Sequence, residues 1–497
     1  MTDVHAQHRW ARRPNLARSV MLNTVAQVGG RVVTVVLGLL TIRLSTTYLG
    51  ADSYGNLATI VTAATLLITL ADLGLSTVLP RELARRPDDG DAVAGAMLRF
   101  RLLTTTVFIF ATAGLVPLLP FNGSVRKGLL LSLVGVFFMS VGRVPGTFFQ
   151  VNLRMGYSAL LDVLYRVVAL GLVAVAVTAD LGFYAVVFAT AAASATWAIA
   201  SFVLSRRFWS INLRFAWADA KGLVRDSFAL WGITVIGLLH FKSDTLVLAA
   251  TRSPHEVGVY AVAYAFLEQT MFVPSVFIAV LFPILARHLV HRDDPEGPRV
   301  VQKAFQVLLL LAVPATLLLF FMPRVAIHLV SNAQFDSATT PLRILAFAFV
   351  PIFLNSLFFA VLVNLDKQRL LMVVAGTTLV LNTGLNLFLI PRYGYVAAAA
   401  TTVFTESLGF VLSMVFAARS RPLGLSPTLV ARVAVAGIAG AVVGAILRSA
   451  PELVAGAAAV GAFFVVAVAA RVLTLADIRL VVGRGTGAET ATAAASR

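Results

Sequence analysis

The 497-residue chain is 59% hydrophobic and only 13% charged, about half the ~25% charged share of a soluble domain. That excludes an ordinary soluble protein and points to a polytopic membrane protein. The lack of cysteine excludes disulfides, thiol catalysis and thiolate metal sites, and the net charge of +17 is accounted for by basic residues retained in cytoplasmic loops, with no call on nucleic acid.

The N-terminus, MTDVHAQHRWARRPNLARS, is basic and precedes an apolar run too long for a cleaved secretory signal. Residues 1–18 therefore read as a cytoplasmic segment and 19–45 as a retained first helix. At about twenty apolar residues per crossing, fourteen spans are expected: 19–45, 54–78, 95–119, 128–151, 159–180, 182–204, 227–250, 257–286, 302–322, 341–364, 370–390, 395–417, 428–448 and 454–473. They group into an N-terminal lobe (19–204), an interlobe linker (205–226), a C-terminal lobe (227–417), an accessory pair (428–473) and a disordered cytoplasmic tail (474–497). No connection is large; 205–226 and 323–340 have room for a short interfacial helix. RRFWSINLRFAW (206–217) mixes basic and aromatic residues as a headgroup anchor does.

Arg9, Arg12, Arg13, Arg81, Arg85, Arg206, Arg207, Arg287, Lys367 and Arg419 collect on one side of these spans. The other side holds little beyond Arg126, Lys127, Arg252, Arg324, Arg392 and Arg448. Both termini are then cytoplasmic.

The two lobes repeat. FFQVNLRMGYSALL (148–161) resembles FAVLVNLDKQRLLM (359–372), and the alignment carries Gly182 onto Gly394 without a gap. YGNLATIVTAAT (54–65) resembles VGVYAVAYAFLE (257–268), and LPRELAR (79–85) resembles FPILARH (282–288). Six helices per repeat, an even number, put both lobes in the membrane the same way up. An axis along the membrane normal then relates them, with a cavity between them near the midplane.

Ionisable residues inside spans cost about 2.5–3.5 kcal/mol each on insertion scales and mostly face the bundle interior. Arg99, Arg101, Asp162 and Arg166 fall within two turns of the cytoplasmic end, where snorkelling explains them as well as function does; Arg43 and Arg343 have the same explanation at the outer end. Arg31 lies near the middle of the first span, and Lys242 about 22 Å along the seventh. Both are candidates for a cavity-facing role, with structural ion pairing as the alternative. His240 and Asp244 are four residues apart and can pair on one helix face, whereas Lys242 and Asp244 point to different faces; Asp244 has the further option of a partner on a neighbouring helix. The substrate-binding candidates are Arg31, Arg43, Arg99, Arg143 and Lys242. The candidates for ion coupling or structural pairing are Asp72, His240, Asp244, Glu268 and Glu406. A mostly cationic interior suits an anionic substrate, since Arg forks onto phosphate oxygens and Lys acts as a point charge. No nucleotide-binding loop, metal-spaced histidine cluster or nucleophile elbow is present. HRDD (291–294) reads as a solvated turn, and no metal, cofactor or enzymatic role is expected.

YLGADSYGNLATIVTAATLLITLADLGLSTVLPRELAR (48–85), FKSDTLVLAATRSPHEVGVYAVAYAFLE (241–268) and NLFLIPRYGYVAAAATTVFTE (386–406) carry a resemblance. Leu49-Gly50-x-x-x-Tyr54-Gly55, Asp72-Leu73-Gly74 and the basic-x-Asp pair Lys242/Asp244 lie within them. Across residues 15–420 the chain resembles the Wzx-type polysaccharide flippases, similar to O-antigen translocases, of the multidrug/oligosaccharidyl-lipid/polysaccharide (MOP) exporter superfamily. Members often have Arg at the position of Lys242, which keeps the charge and loses the fork. The resemblance implies an all-α, MATE-like fold of two six-helix lobes around a cationic cavity. It also implies alternating-access translocation of a polyprenyl-diphosphate-linked oligosaccharide to the outer leaflet of the plasma (inner) membrane. Expected partners are that glycolipid, membrane lipids and a polymerase or glycosyltransferase complex. The alternatives are an ion-coupled drug or metabolite antiporter of the same fold and a non-transporting component of an envelope assembly complex.

Overall fold

The computed structural model describes residues 16–85, 90–152, 154–209, 217–289 and 294–472. The cytoplasmic readings of residues 1–15 and of the tail from 473, and residues 210–216 and 291–293 of the two polar loops, lie outside the described residues. Among the described residues every regular element is helical. Ten helical stretches are long and apolar enough to cross a membrane, eleven if one bent pair is a single span. The chain forms two compact units that divide between Ala261 and Val262.

The first unit holds α1 (Leu16–Asp72), α2 (Leu75–Arg85), α3 (Gly90–Leu115), α4 (Gly123–Val151), α5 (Met155–Thr178), α6 (Phe183–Ser205), α7 (Trp217–Thr251) and the start of α8 (Pro254–Thr270). Two expected spans lie in α1, interrupted by one non-helical residue, Gly50 (φ 70, ψ 178). Glycine takes that conformation without a Cβ clash, so no polar loop is needed. The second span ends earlier than expected, at Asp72, because Leu73 (φ 46) and Gly74 (φ 78) are both left-handed. Asn122 starts α4 by accepting a hydrogen bond from the Val125 N–H at 2.9 Å, satisfying a helix-end donor.

Small residues bring these helices together. A Cβ on Gly135 or Gly142 of α4 would stand 2.9 Å from the Cα of Ala191 or Ala198 of α6, the same seven-residue step on both helices. Lipid supplies no hydrophobic drive for helix association, so close backbone packing does the work. A denser core joins α2, α3 and α4 through Leu79, Met97, Val144 and Phe148, and Trp209 completes it. Trp209 is 5% exposed and stacks on Phe148 at 4.7 Å. This corrects the headgroup-anchor reading for that residue: the aromatic of the basic stretch packs inward because a buried, stacked ring gains more than one at the interface.

The second unit continues α8 and adds α9 (Phe272–Leu289), α10 (Glu296–Phe321), α11 (Pro323–Val330), α12 (Thr339–Ala346), α13 (Phe349–Asn364), α14 (Gln368–Ser420), α15 (Pro427–Ile446) and α16 (Glu452–Ala469). The expected span 341–364 is the pair α12 and α13, bent by 42°. Two expected spans share α14, broken at Gly394 (φ 59, ψ −142). The accessory pair α15 and α16 packs on α10, where Gly444 leaves room only for the Phe321 ring and Gly456 for Met322.

The repeat inferred from the sequence has a local counterpart in each unit. Gly182 and Gly394 both have positive φ. Asn152 and Asn364 both turn the side-chain amide back onto the carbonyl four residues earlier, at 2.8 Å, as their helices end.

Candidate functional site

In the first unit the charged residues separate into three groups. The first gathers at the end of α1. Asp72 caps α2: the Ser76 N–H donates to Oδ2 at 3.3 Å and the Ser76 hydroxyl donates to Oδ1. Arg101 of α3 donates through Nη2 to Asp72 Oδ1 at 2.6 Å and to Ser76 Oγ at 3.0 Å. Arg143 of α4 stands 4.0 Å from the same carboxylate oxygen. Arg101 is 1% exposed, and its Nε and Nη1 meet no acceptor among the described residues. Snorkelling, the reading given to it from its depth, is thereby corrected: the guanidinium is turned into the bundle by the carboxylate. One turn further on, the hydroxyls of Thr105 and Ser140 meet at 2.8 Å and carry the polar line on between α3 and α4.

The second group lies along the seam of α1 and α5. A Cβ on Gly30 would stand 2.9 Å from Ala159 Cβ, and one on Gly38 3.4 Å from Arg166 Nη1. Between these contacts, Arg31 and Arg166 both lie within electrostatic reach of the Asp162 carboxylate. Among the described residues no hydrogen bond or direct ion pair joins Arg31 to Asp162. The Trp197 indole of α6 is also close to Asp162, though its Nε1 meets no acceptor in hydrogen-bonding geometry among the described residues. Arg31 and Asp162 are exposed.

The third group is the tie between α7 and α8. Asp244 is 2% exposed and accepts a hydrogen bond from the Tyr260 hydroxyl, one of the open options for its partner. It also accepts from the Thr245 N–H at 2.7 Å. Lys242 and His240 are half-buried, and His240 packs edge-on against Phe241. Near the start of α8, Gly55 and Gly258 meet reciprocally: a Cβ on Gly55 would strike the carbonyl of Pro254, four residues before Gly258, and one on Gly258 would strike that of Ala51, four residues before Gly55. Of the remaining candidates here, Arg43 is exposed and Arg99 half-buried.

The second unit holds Glu268, half-buried, and Glu406, 5% exposed on α14. A buried polar ladder that sequence reasoning missed ends at Thr405, the residue before Glu406 in the chain. Asn386 Nδ2 donates to Asn382 Oδ1 at 2.9 Å, and Asn382 Nδ2 to Thr405 Oγ1 at 3.0 Å. Asparagines four apart in an apolar helix were the available signal. At the α9–α10 connection, His288 Nδ1 lies 2.8 Å from Asp294 Oδ2, and Asp294 Oδ1 accepts from the Glu296 N–H at 2.9 Å. The His288 hydrogen bond, followed by that backbone donor, holds the Asp294 carboxyl below its ordinary range. Arg421 is buried and donates to the carbonyls of Leu289 and Asp294. Asp294 is thus a staple of the corner, a correction to its reading as part of a solvated turn.

This fold has solved counterparts. It is similar to the lipid II flippase MurJ in an inward closed conformation, with TM-score 0.76 and 12% identity over 90% of this chain and 98% of that one. It is also similar to an inward-facing multidrug resistance MATE family transporter of the MOP superfamily, with TM-score 0.63 and 13% identity over 80% and 97%. A curated membrane protein of Methanocaldococcus jannaschii, MJ1068, is 28% identical over 116 residues; that match covers 23% of this chain and 22% of the relative's length. The family model described as "Polysaccharide biosynthesis protein" matches residues 18–289, and the MatE model matches 235–388. A bundle of membrane-crossing helices with this fold and these matches defines a transporter of the MOP exporter superfamily. Within that class the chain belongs to the polysaccharide biosynthesis protein family, whose pattern covers more than half its length.

Proposed function

We propose that the protein is a flippase that carries a polyprenyl-diphosphate-linked oligosaccharide from the inner to the outer leaflet by alternating access. The observation that carries this reading is the exposed Arg31 on α1, with Arg166 beside it and the half-buried Lys242 on α7. A charged group exposed to hydrocarbon is costly, so the face of α1 that bears Arg31 is wet or ligand-filled, and the positive sign of these groups favours a diphosphate. In this reading both termini are cytoplasmic, the lobes are 19–204 and 227–417, and 428–473 is peripheral. The Gly55–Gly258 approach is the outer gate in its closed state. A diphosphate with about two negative charges gains roughly 4–5 kcal/mol on moving outward across ~100 mV, inside negative; the membrane potential is then sufficient drive.

An ion-coupled antiporter of the same fold is the second reading, favoured by the buried Glu406 and by the buried asparagine–threonine ladder that ends at the preceding residue. Expression in a strain lacking its own flippase, supplied with defined lipid-linked glycans, separates the two. The flippase reading expects surface glycan to return and to be lost with Arg31→Ala or Lys242→Ala. Export of cationic drugs with no glycan returned would overturn it.

A further inference from the structure

Asp162 sits within electrostatic reach of two arginines, yet forms no direct pair with Arg31, and both groups are exposed on helices whose backbones touch at Gly30 and Ala159. This differs from the end of α1, where Arg101 is bonded to Asp72 at 2.6 Å and shut from solvent. A bonded, buried pair has no reason to exchange partners. A carboxylate near a guanidinium, but not joined to it, can.

Resting on the reading of Arg31 as a diphosphate ligand, we propose that Asp162 is a positioning residue that acts through Arg31 as its resident counter-ion. The substrate's diphosphate displaces it on binding and it returns on release. The physical need is plain. A lone guanidinium inside a span is costly, so a carrier that must reorient empty needs a negative charge beside Arg31 when no substrate is there. A carboxylate at direct contact would compete too well, since the attraction between opposite charges rises steeply as they approach. One held further off neutralises the empty site and yields to a ligand carrying two charges. Arg166, four residues further along α5 and laid against Gly38, also acts on the carboxylate and weakens its hold on Arg31 further.

The test is a double-mutant cycle on the full chain in lipid nanodiscs, with farnesyl diphosphate as probe and farnesyl monophosphate as control. Asp162→Asn is expected to tighten diphosphate binding about 3–10-fold, because Arg31 is no longer shared, while turnover of lipid-linked glycan falls because release slows. In an Arg31→Gln background the same change is expected to alter affinity less than about twofold. Asp162→Glu, which keeps the charge and reaches one methylene further, is expected to bind the diphosphate no more tightly than wild type; tightening equal to that of Asp162→Asn overturns the proposal. A purely structural role for Asp162 would lower affinity and turnover together in both backgrounds, and that result overturns the proposal. So does unchanged affinity in Asp162→Asn with Arg31 intact. Asp162→Ser is read in the same way if the Asn protein is not recovered. If Arg31→Gln binds the diphosphate as tightly as wild type, the ligand role of Arg31 fails, and the counter-ion proposal with it. If Arg31→Gln weakens binding and Asp162→Asn changes nothing, only the counter-ion proposal fails.

Discussion

Two arginine–aspartate groups in the first unit show how the same charges serve different ends. At the end of α1, Asp72 is bonded to Arg101 and Ser76, caps α2, and is shut away with a guanidinium 1% exposed. Along the α1–α5 seam, Arg31 and Asp162 stand exposed, near each other and unjoined. A directly bonded, buried pair fixes two helix ends. An exposed, unjoined one leaves electrostatic capacity for something that comes and goes. Charge in a membrane span is thus not by itself a mark of function; whether it is joined to a partner and shut from solvent is the better guide.

The largest effect is expected where the pair is closed. Arg101→Ala leaves Asp72 buried without its main counter-charge and should cost about 3–5 kcal/mol, seen as loss of folded protein in detergent thermal unfolding. Changing both partners to apolar residues of similar volume, Asp72→Leu with Arg101→Met, should recover much of that loss. A stable Arg101→Ala protein would break the comparison.

Gly258→Ala should cost about 1–3 kcal/mol by forcing a methyl against the Ala51 carbonyl. Reactivity of a cysteine introduced at Tyr54, buried beside this contact, should rise with it. Conversely, a crosslink between cysteines introduced near Gly55 and Gly258, flanking their contact in a chain with no native cysteine, should stop glycan export. Normal transport by the crosslinked protein would remove the outer gate from the reading.

Lys242→Ala should leave insertion and folding intact but lower glycan export by about tenfold or more, the equivalent of ~1.4 kcal/mol. Lys242→Arg should retain much of the activity, and Lys242→Glu the least. Folded Lys242→Ala protein with wild-type export would move Lys242 into the same structural class as Arg101.

The smallest effect is expected at Asp294. Its carboxyl lies below the ordinary value of 3.8 in the folded chain, chiefly through His288. Its contribution to the α9–α10 corner is therefore complete above pH 3.8 and is lost as pH falls through the lower folded value. Asp294→Asn should flatten that acid limb of the thermal unfolding profile and leave export at neutral pH nearly unchanged.

Most of the helical layout was legible in the sequence, because a bilayer demands long apolar runs whose backbone groups pair internally. The breaks were less legible. Hydropathy does not register a single left-handed residue: it shows Gly50 and Gly394 only as loops between spans and gives no sign of the break at Leu73–Gly74. Depth along a span leaves Arg101 open between snorkelling and function, since distance from a helix end says nothing about which neighbour a side chain faces. The asparagine ladder went unremarked because neutral amides leave only a faint mark on composition.

The sequence by itself determined that this protein lives in a membrane, that it is built of helices, and that its spans carry more positive than negative charge. Those properties follow from composition, period and order along the chain, which the bilayer reads as directly as a solvent reads hydrophobicity. The tertiary structure alone decided which charges are spent on one another and which are left available. Asp72 reaches Arg101 across twenty-nine residues, and Asp162 approaches Arg31 from four helices later. Such pairings depend on helix rotation and backbone approach to within an ångström, set by small residues such as Gly30 at contacts that no local pattern encodes.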